Sequence, residues 1–152
     1  MFEVEFSIRS GQGEPSGFDL GDMVIEGEYG AASSGDHVPD QGMMIYPSVT
    51  LLLDSLKTLL AGEKKRISFT GTDTSFRLDF KVDKGLVSVS TAGVLLGRSR
   101  PEDLSYAVLR SATSFADDSL SRLPAGDAAQ SDLLASLRDL HTAMTREGQR
   151  RD

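Results

Sequence analysis

Apolar and polar residues alternate one for one at the start of the chain. Phe2, Val4, Phe6 and Ile8 interleave with Glu3, Glu5, Ser7 and Arg9, the period-two pattern of a half-buried strand. Ser10 to Gly17 carries three glycines and a proline and reads as a loop. Met23, Ile25 and Tyr29 then share one face against Glu26 and Glu28, which predicts a second strand paired antiparallel with the first. Val24 interrupts that alternation, so both faces are expected to be partly covered. Gly30 to Met44 shows no period and is enriched in Gly, Ser, Asp and Pro. Connections inside a compact domain usually run about 4–6 residues, so a stretch this long is expected to be either functional or mobile.

The period then changes. Val49, Leu52, Leu53, Leu56, Leu59 and Leu60 make a wide apolar stripe at helical spacing. Pro47 or Ser48 marks its start, and Gly62 stands where a left-handed cap is needed. A meander follows. Ile67 and Phe69 open it, and Gly71 to Thr74 turn the chain. Phe76, Leu78, Phe80 and Val82 alternate with Arg77, Asp79, Lys81 and Asp83, and Lys84-Gly85 turn it again. The spans 86–91 and 94–96 complete the meander. Ser99-Arg100-Pro101-Glu102 fits a capping box with Ser99 as N-cap, ahead of a helix with Leu104, Val108, Ala112 and Phe115 on one face that ends before Pro124. Asp127 and Gln130 suggest another cap, and Leu133, Leu134, Leu137, Leu140 and Met144 stripe the last helix. Residues 1–145 read as one α+β domain, and the polar residues 146–152 as a fraying tail. The expected order is ββαββββαα, with about six strands in an antiparallel sheet and the helices packed on one face.

Composition narrows the function classes. The chain has 152 residues, 39% hydrophobic and 26% charged, enough for a single buried core. It has no cysteine, so disulfides, thiolate metal sites and cysteine nucleophiles are excluded. Lys and Arg total 16 against 23 Asp and Glu, a net charge of −7 that repels phosphate backbones. No segregated basic patch is visible along the sequence, so nucleic acid is not expected as a partner. There is no long apolar run to span a membrane, and the acid-bearing first strand is unlike a secretory signal. A cytoplasmic protein is expected.

Candidate chemistry is sparse. His37 lies between Asp36 and Asp40 in the long loop, an arrangement open to a metal site or a general base but equally to turn-forming aspartates around a solvated histidine. His141 borders the last apolar stripe near a helix C-terminus, where the dipole favours a cation. Asp117 and Asp118 are adjacent on a helix and so do not face each other; with Glu102 and Asp103 they read as a solvated acidic surface. Gly11-Gln12-Gly13 precedes no helix, Gly93 to Gly97 lacks the lysine of a phosphate loop, and Ser33-Ser34-Gly35 has no nucleophile-elbow context. The C-terminal Arg146, Arg150 and Arg151 are offset by Glu147 and Asp152. No cofactor or metal is expected. The strongest functional signal is a protein-binding surface formed by Asp36, His37 and Asp40 with Met43 and Tyr46, adaptable apolar side chains beside a loop. The competing expectation is that Met44 and Tyr46 enter the core as the lead-in to the helix.

The order of elements resembles one family. A strand pair, the aliphatic helix Val49-Thr-Leu-Leu-Leu-Asp-Ser-Leu, the strand Ser75-Phe-Arg-Leu-Asp-Phe and a helix ending in Leu123-Pro124 are similar to the layout of small immunity proteins of bacterial wall-associated toxin systems. The likeness covers residues 20–124 and lies in spacing and hydrophobic pattern. It implies a protein that binds and blocks a toxin domain without catalysis, and it carries over no functional residues. Three readings follow: a non-catalytic binding module with another, basic protein as partner; a small hydrolase or metal-dependent enzyme built on His37; and a self-associating structural protein joined through a sheet edge or the last helix.

Overall fold

The computed structural model describes residues 1–35 and 38–151, the last three as helix backbone alone. The chain is α+β, with three helices and two antiparallel sheets. The first sheet contains β1 (Glu3–Ile8), β2 (Leu20–Glu26), β3 (Ala31–Ser33) and β4 (Met43–Met44). Strand β2 lies at its centre, with β1 on one side and both β3 and β4 on the other. Helix α1 (Ile45–Leu60) follows β4 without a break. The second sheet is a pure meander of β5 (Arg66–Thr70), β6 (Arg77–Asp83), β7 (Leu86–Thr91) and β8 (Val94–Ser99). Helix α2 (Pro101–Ser119), a short 3-10 turn and helix α3 (Ala128–Arg151) complete the chain.

The expected antiparallel strands therefore fall into two four-stranded sheets rather than one larger sheet. The cause is α1, which carries the chain away from β4 before β5 begins. The meander then pairs only with itself, strand to next strand. Two strands, β3 and β4, lie inside the expected loop of residues 30–44; at three and two residues they are too short to show a period. Tyr29 falls beyond the end of β2 and is exposed, off the face of Met23 and Ile25. The polar residues expected to fray continue α3 as helix to Arg151.

Helix α1 is the centre of the core. Val49, Leu52, Leu53, Leu56, Leu59 and Leu60 are all buried, each contributing roughly 1.5–3 kcal/mol. The helix packs on both sheets and on α2 and α3. Gly62, at φ +72, donates its N–H to the Leu59 carbonyl at 3.1 Å and closes the helix as expected. The α2 start differs from expectation. Arg100, not Ser99, is the N-cap, in extended conformation with no side-chain cap hydrogen bond. Pro101 occupies the first helical position and drives the residue before it out of the helical region, which leaves Ser99 in β8.

Tertiary hydrogen bonds tie the sheets together. The Met44 N–H donates to the Thr72 carbonyl at 3.0 Å, and the Tyr29 N–H to the Leu96 carbonyl at 2.8 Å, so both edges of the second sheet are anchored. The fully buried Ser48 Oγ donates to the Met44 carbonyl at 2.7 Å and accepts the Thr72 N–H at 2.8 Å. Two tight hairpins shape the meander: Lys84-Gly85 and Ala92-Gly93 both hold positive φ at their two central residues, the primed turn that matches strand twist.

Register sets the outer faces. Across the second sheet Arg66, Lys81, Ser88 and Arg98 stand directly side by side. Across the first, Glu3 stands opposite Glu26, with Glu5 opposite Val24 on the same face. The register thus gathers three cations that lie far apart in the sequence, with Asp79 and Asp83 on the same face of β6.

Candidate functional site

The residues singled out in the sequence separate in space. Asp40 is exposed but engaged. The Arg9 guanidinium forms paired hydrogen bonds to Asp22 (2.8 and 2.9 Å) and to Asp40 (2.6 and 2.7 Å). Asp22 also accepts from Ser34 Oγ at 2.7 Å, and Asp40 accepts the Gly42 N–H at 3.0 Å. The Arg9 hydrogen bonds hold both carboxyl groups below the usual carboxylate range. On its other side the loop is fixed by Thr74 Oγ1, which donates to the Gln41 carbonyl at 2.7 Å. Through Arg9, the residue just after β1, Asp40 thus clips the long loop to Asp22 of β2.

Met43 and Tyr46 do not form an exposed surface. They are 0% and 1% exposed, and Ile45 is buried with them. Residues 43 and 44 pair with Gly21 and Leu20 as β4, and the Ile45 N–H donates to the Asp19 carbonyl at 3.1 Å. The first turn of α1 is driven into the core, where the Tyr46 ring packs 5.4 Å from Phe115. Burial pushes the Tyr46 phenol up, against a hydrogen bond with Ser119 that lowers it. The lead-in to the helix is therefore core, and only Met44 is part exposed. Asp36 and His37 lie outside the described residues. His141, Asp117 and Asp118 are exposed on helix surfaces. Among the described residues no group of three or more His, Asp or Glu is placed to hold a metal ion, and no helix is long and apolar enough to cross a membrane.

An apolar groove of about 430 Å³ lies beside this region. Its lining includes Met44 of β4, Tyr46, Pro47 and Leu51 from the start of α1, and Ala128 and Ala129 from the start of α3. Phe18 is also on its lining and is 75% exposed, and Leu51 is 47% exposed. Asp127 and Asp132 are the charged residues on its lining. The loop bearing Phe18 is tightly held. Gln12 Nε2 donates to the Arg9 and Leu20 carbonyls at 2.6 and 2.7 Å. The Phe18 N–H donates to Ser16 Oγ at 3.1 Å, and the Gly17 N–H to Asp127 Oδ2 at 3.2 Å. Asp127 is also the expected α3 cap, accepting the Ala129 N–H at 2.9 Å. A Cβ on Gly17 would sit 2.6 Å from Asp127 Oδ1, so a larger residue there would displace the Asp127 carboxylate that accepts the Gly17 and Ala129 N–H groups.

A larger groove of about 580 Å³ runs between β1 and α2. Ser111 Oγ reaches the Val4 carbonyl there at 2.6 Å, so the helix covers part of the open edge of β1. Sequence reasoning missed the Phe18 groove because its lining comes from four separate segments of the chain. The one local sign was Phe18, an aromatic residue in a Gly- and Pro-bearing loop. No family model matches the chain, and no curated protein or solved structure matches it either.

Proposed function

We propose that the chain is a non-catalytic protein-binding module of the immunity or inhibitor kind, acting in the cytoplasm. Its partner is a protein segment that presents an apolar side chain flanked by basic residues. The observation that carries this reading is Phe18, three-quarters exposed on the lining of an apolar groove that also includes Asp127 and Asp132. Burying an aromatic side chain of this kind contributes roughly 1.5–3 kcal/mol, which the free protein forgoes and a partner recovers. Rigid aromatic anchors beside pockets are where binding energy concentrates. The net charge of −7 speeds encounter with a basic partner, and salt weakens that effect.

The test is chemical-shift mapping with an amphipathic Lys/Leu peptide and its Glu/Leu counterpart. Saturable shifts at Leu51, Ala129 and Asp132 are expected with the Lys/Leu peptide alone. Added salt should weaken them, and Phe18→Ser should abolish them while thermal stability stays within about 0.5 kcal/mol. Equal responses to both peptides, or shifts only outside the groove, would overturn the reading.

A further inference from the structure

The two sheets expose oppositely charged outer faces. On the second sheet Arg66, Lys81 and Arg98 are exposed in one cross-strand row. Arg98 is steadied by its Nε donating to Ser88 Oγ at 3.2 Å. With strands about 4.8 Å apart, the row spans roughly 14 Å. The other cation on this face, Arg77, is already paired with Asp79 at 2.9 Å. Asp83, one step along β6 on the same face as Lys81, makes no ion pair with the row among the described residues. On the first sheet Glu3 and Glu26 are directly opposed, and Glu5 follows on the same face. All three are exposed, and none has an ion-pair partner among the described residues. Like charges placed directly opposite destabilise a sheet, so each face is relieved by a surface of the other sign.

We infer that the basic row of the second sheet docks the Glu3, Glu5 and Glu26 face of a second copy of this chain. Both surfaces are faces of antiparallel sheets, and both belong to the same molecule. A two-fold contact through either face alone would set like against like. The contact is therefore head-to-tail, and the pair keeps one free face of each sign, so that it closes into a ring or extends. A nucleic acid fits this face less well, since it would meet a net charge of −7 with no aromatic residue on the face for base stacking. The contact does not involve the Phe18 groove and stands independently of the function proposed for it.

Sedimentation velocity across a concentration series tests the inference, at low and at high salt. The wild type should show about a twofold or greater rise in average mass at low salt and return to single chains once the screening length falls well below about 8 Å. The variants Glu3→Lys/Glu26→Lys and Arg66→Glu/Lys81→Glu should each remain single chains, because each then carries two faces of one sign. Mixed in equal amounts they should associate again, since the intact face of each meets both faces of the other with opposite charge. All substituted side chains are exposed, and thermal unfolding of each variant checks that it is folded. A wild type that stays monomeric at low salt overturns the inference. So does association that persists in either variant alone, or a mixture that fails to associate; capture of an acidic peptide by a monomeric wild type would assign the row to a different partner.

Discussion

Ser48→Ala tests how α1 joins the two sheets. The serine is fully buried, and its hydroxyl links the Met44 carbonyl to the Thr72 N–H. Alanine leaves the helix backbone intact and removes no apolar contact, so the change isolates one link. The Met44 carbonyl lies at the start of α1 and keeps its place there, whereas the Thr72 amide loses its acceptor. An orphaned buried donor costs about 1–3 kcal/mol. Thr72 is only half-buried, and water recovers part of the loss, so about 1–2 kcal/mol is expected. In a chain of this size each kcal/mol moves Tm by about 2–4 °C, which gives a fall of about 2–8 °C. Ser55→Ala is the matched control. Its hydroxyl donates only to the Leu51 carbonyl four residues earlier, and the change should stay within about 0.5 kcal/mol. Hydrogen exchange supplies the local readout: the Thr72 amide should lose protection in Ser48→Ala and keep it in Ser55→Ala. Equal stability in the two variants, with Thr72 still protected in both, would refute the reasoning.

Other outcomes follow from single residues. Asp22 has a depressed pKa, caused first by the Arg9 hydrogen bond, against desolvation, and then by Ser34. The stability it contributes is present above the unfolded-state value near 4 and is lost as pH falls through the lower folded value. Urea midpoints should therefore drop steeply below about pH 4 in the wild type and less steeply in Arg9→Met; parallel profiles would remove the Arg9 clip from the account. Ser105 has a buried hydroxyl with no hydrogen-bond partner among the described residues, so Ser105→Ala should raise the unfolding free energy in urea by up to about 1 kcal/mol, and a clear loss of stability would show that the hydroxyl is used. Ala92 sits at φ +49 in its hairpin, a conformation Asn tolerates better, so Ala92→Asn should stabilise by about 0.5–1 kcal/mol in thermal unfolding.

How far the fold was legible depended on period length. The α1 stripe repeats over three turns and left no ambiguity, and β6 alternates through Leu78, Phe80 and Val82. Two- and three-residue strands have no period to read, so β3 and β4 were hidden in a stretch that looked like loop. The capping box failed for a local steric reason. Pro101 outranked Ser99 because it confines the residue before it to extended backbone.

Function was less legible because it depends on which residues become neighbours. Met43 and Tyr46 looked like adaptable surface beside a loop. They are core because the Ile45 N–H is bonded to Asp19 and Met43 is paired with Gly21, and both contacts cross the chain. The charge on β6 shows the same principle from the opposite side. Along the strand, Arg77, Asp79, Lys81 and Asp83 alternate in sign and sum to nothing. Across the sheet, the Lys81 register brings in Arg66 on one side and, past Ser88, Arg98 on the other. A one-residue slip in that pairing would turn these side chains into the core and Phe80 and Val89 into water. The burial of Phe80 and Val89 therefore fixes the register, and the register in turn places the cations together. The apolar pattern that builds the core is thus also what assembles the basic face, although no cation contributes to that core.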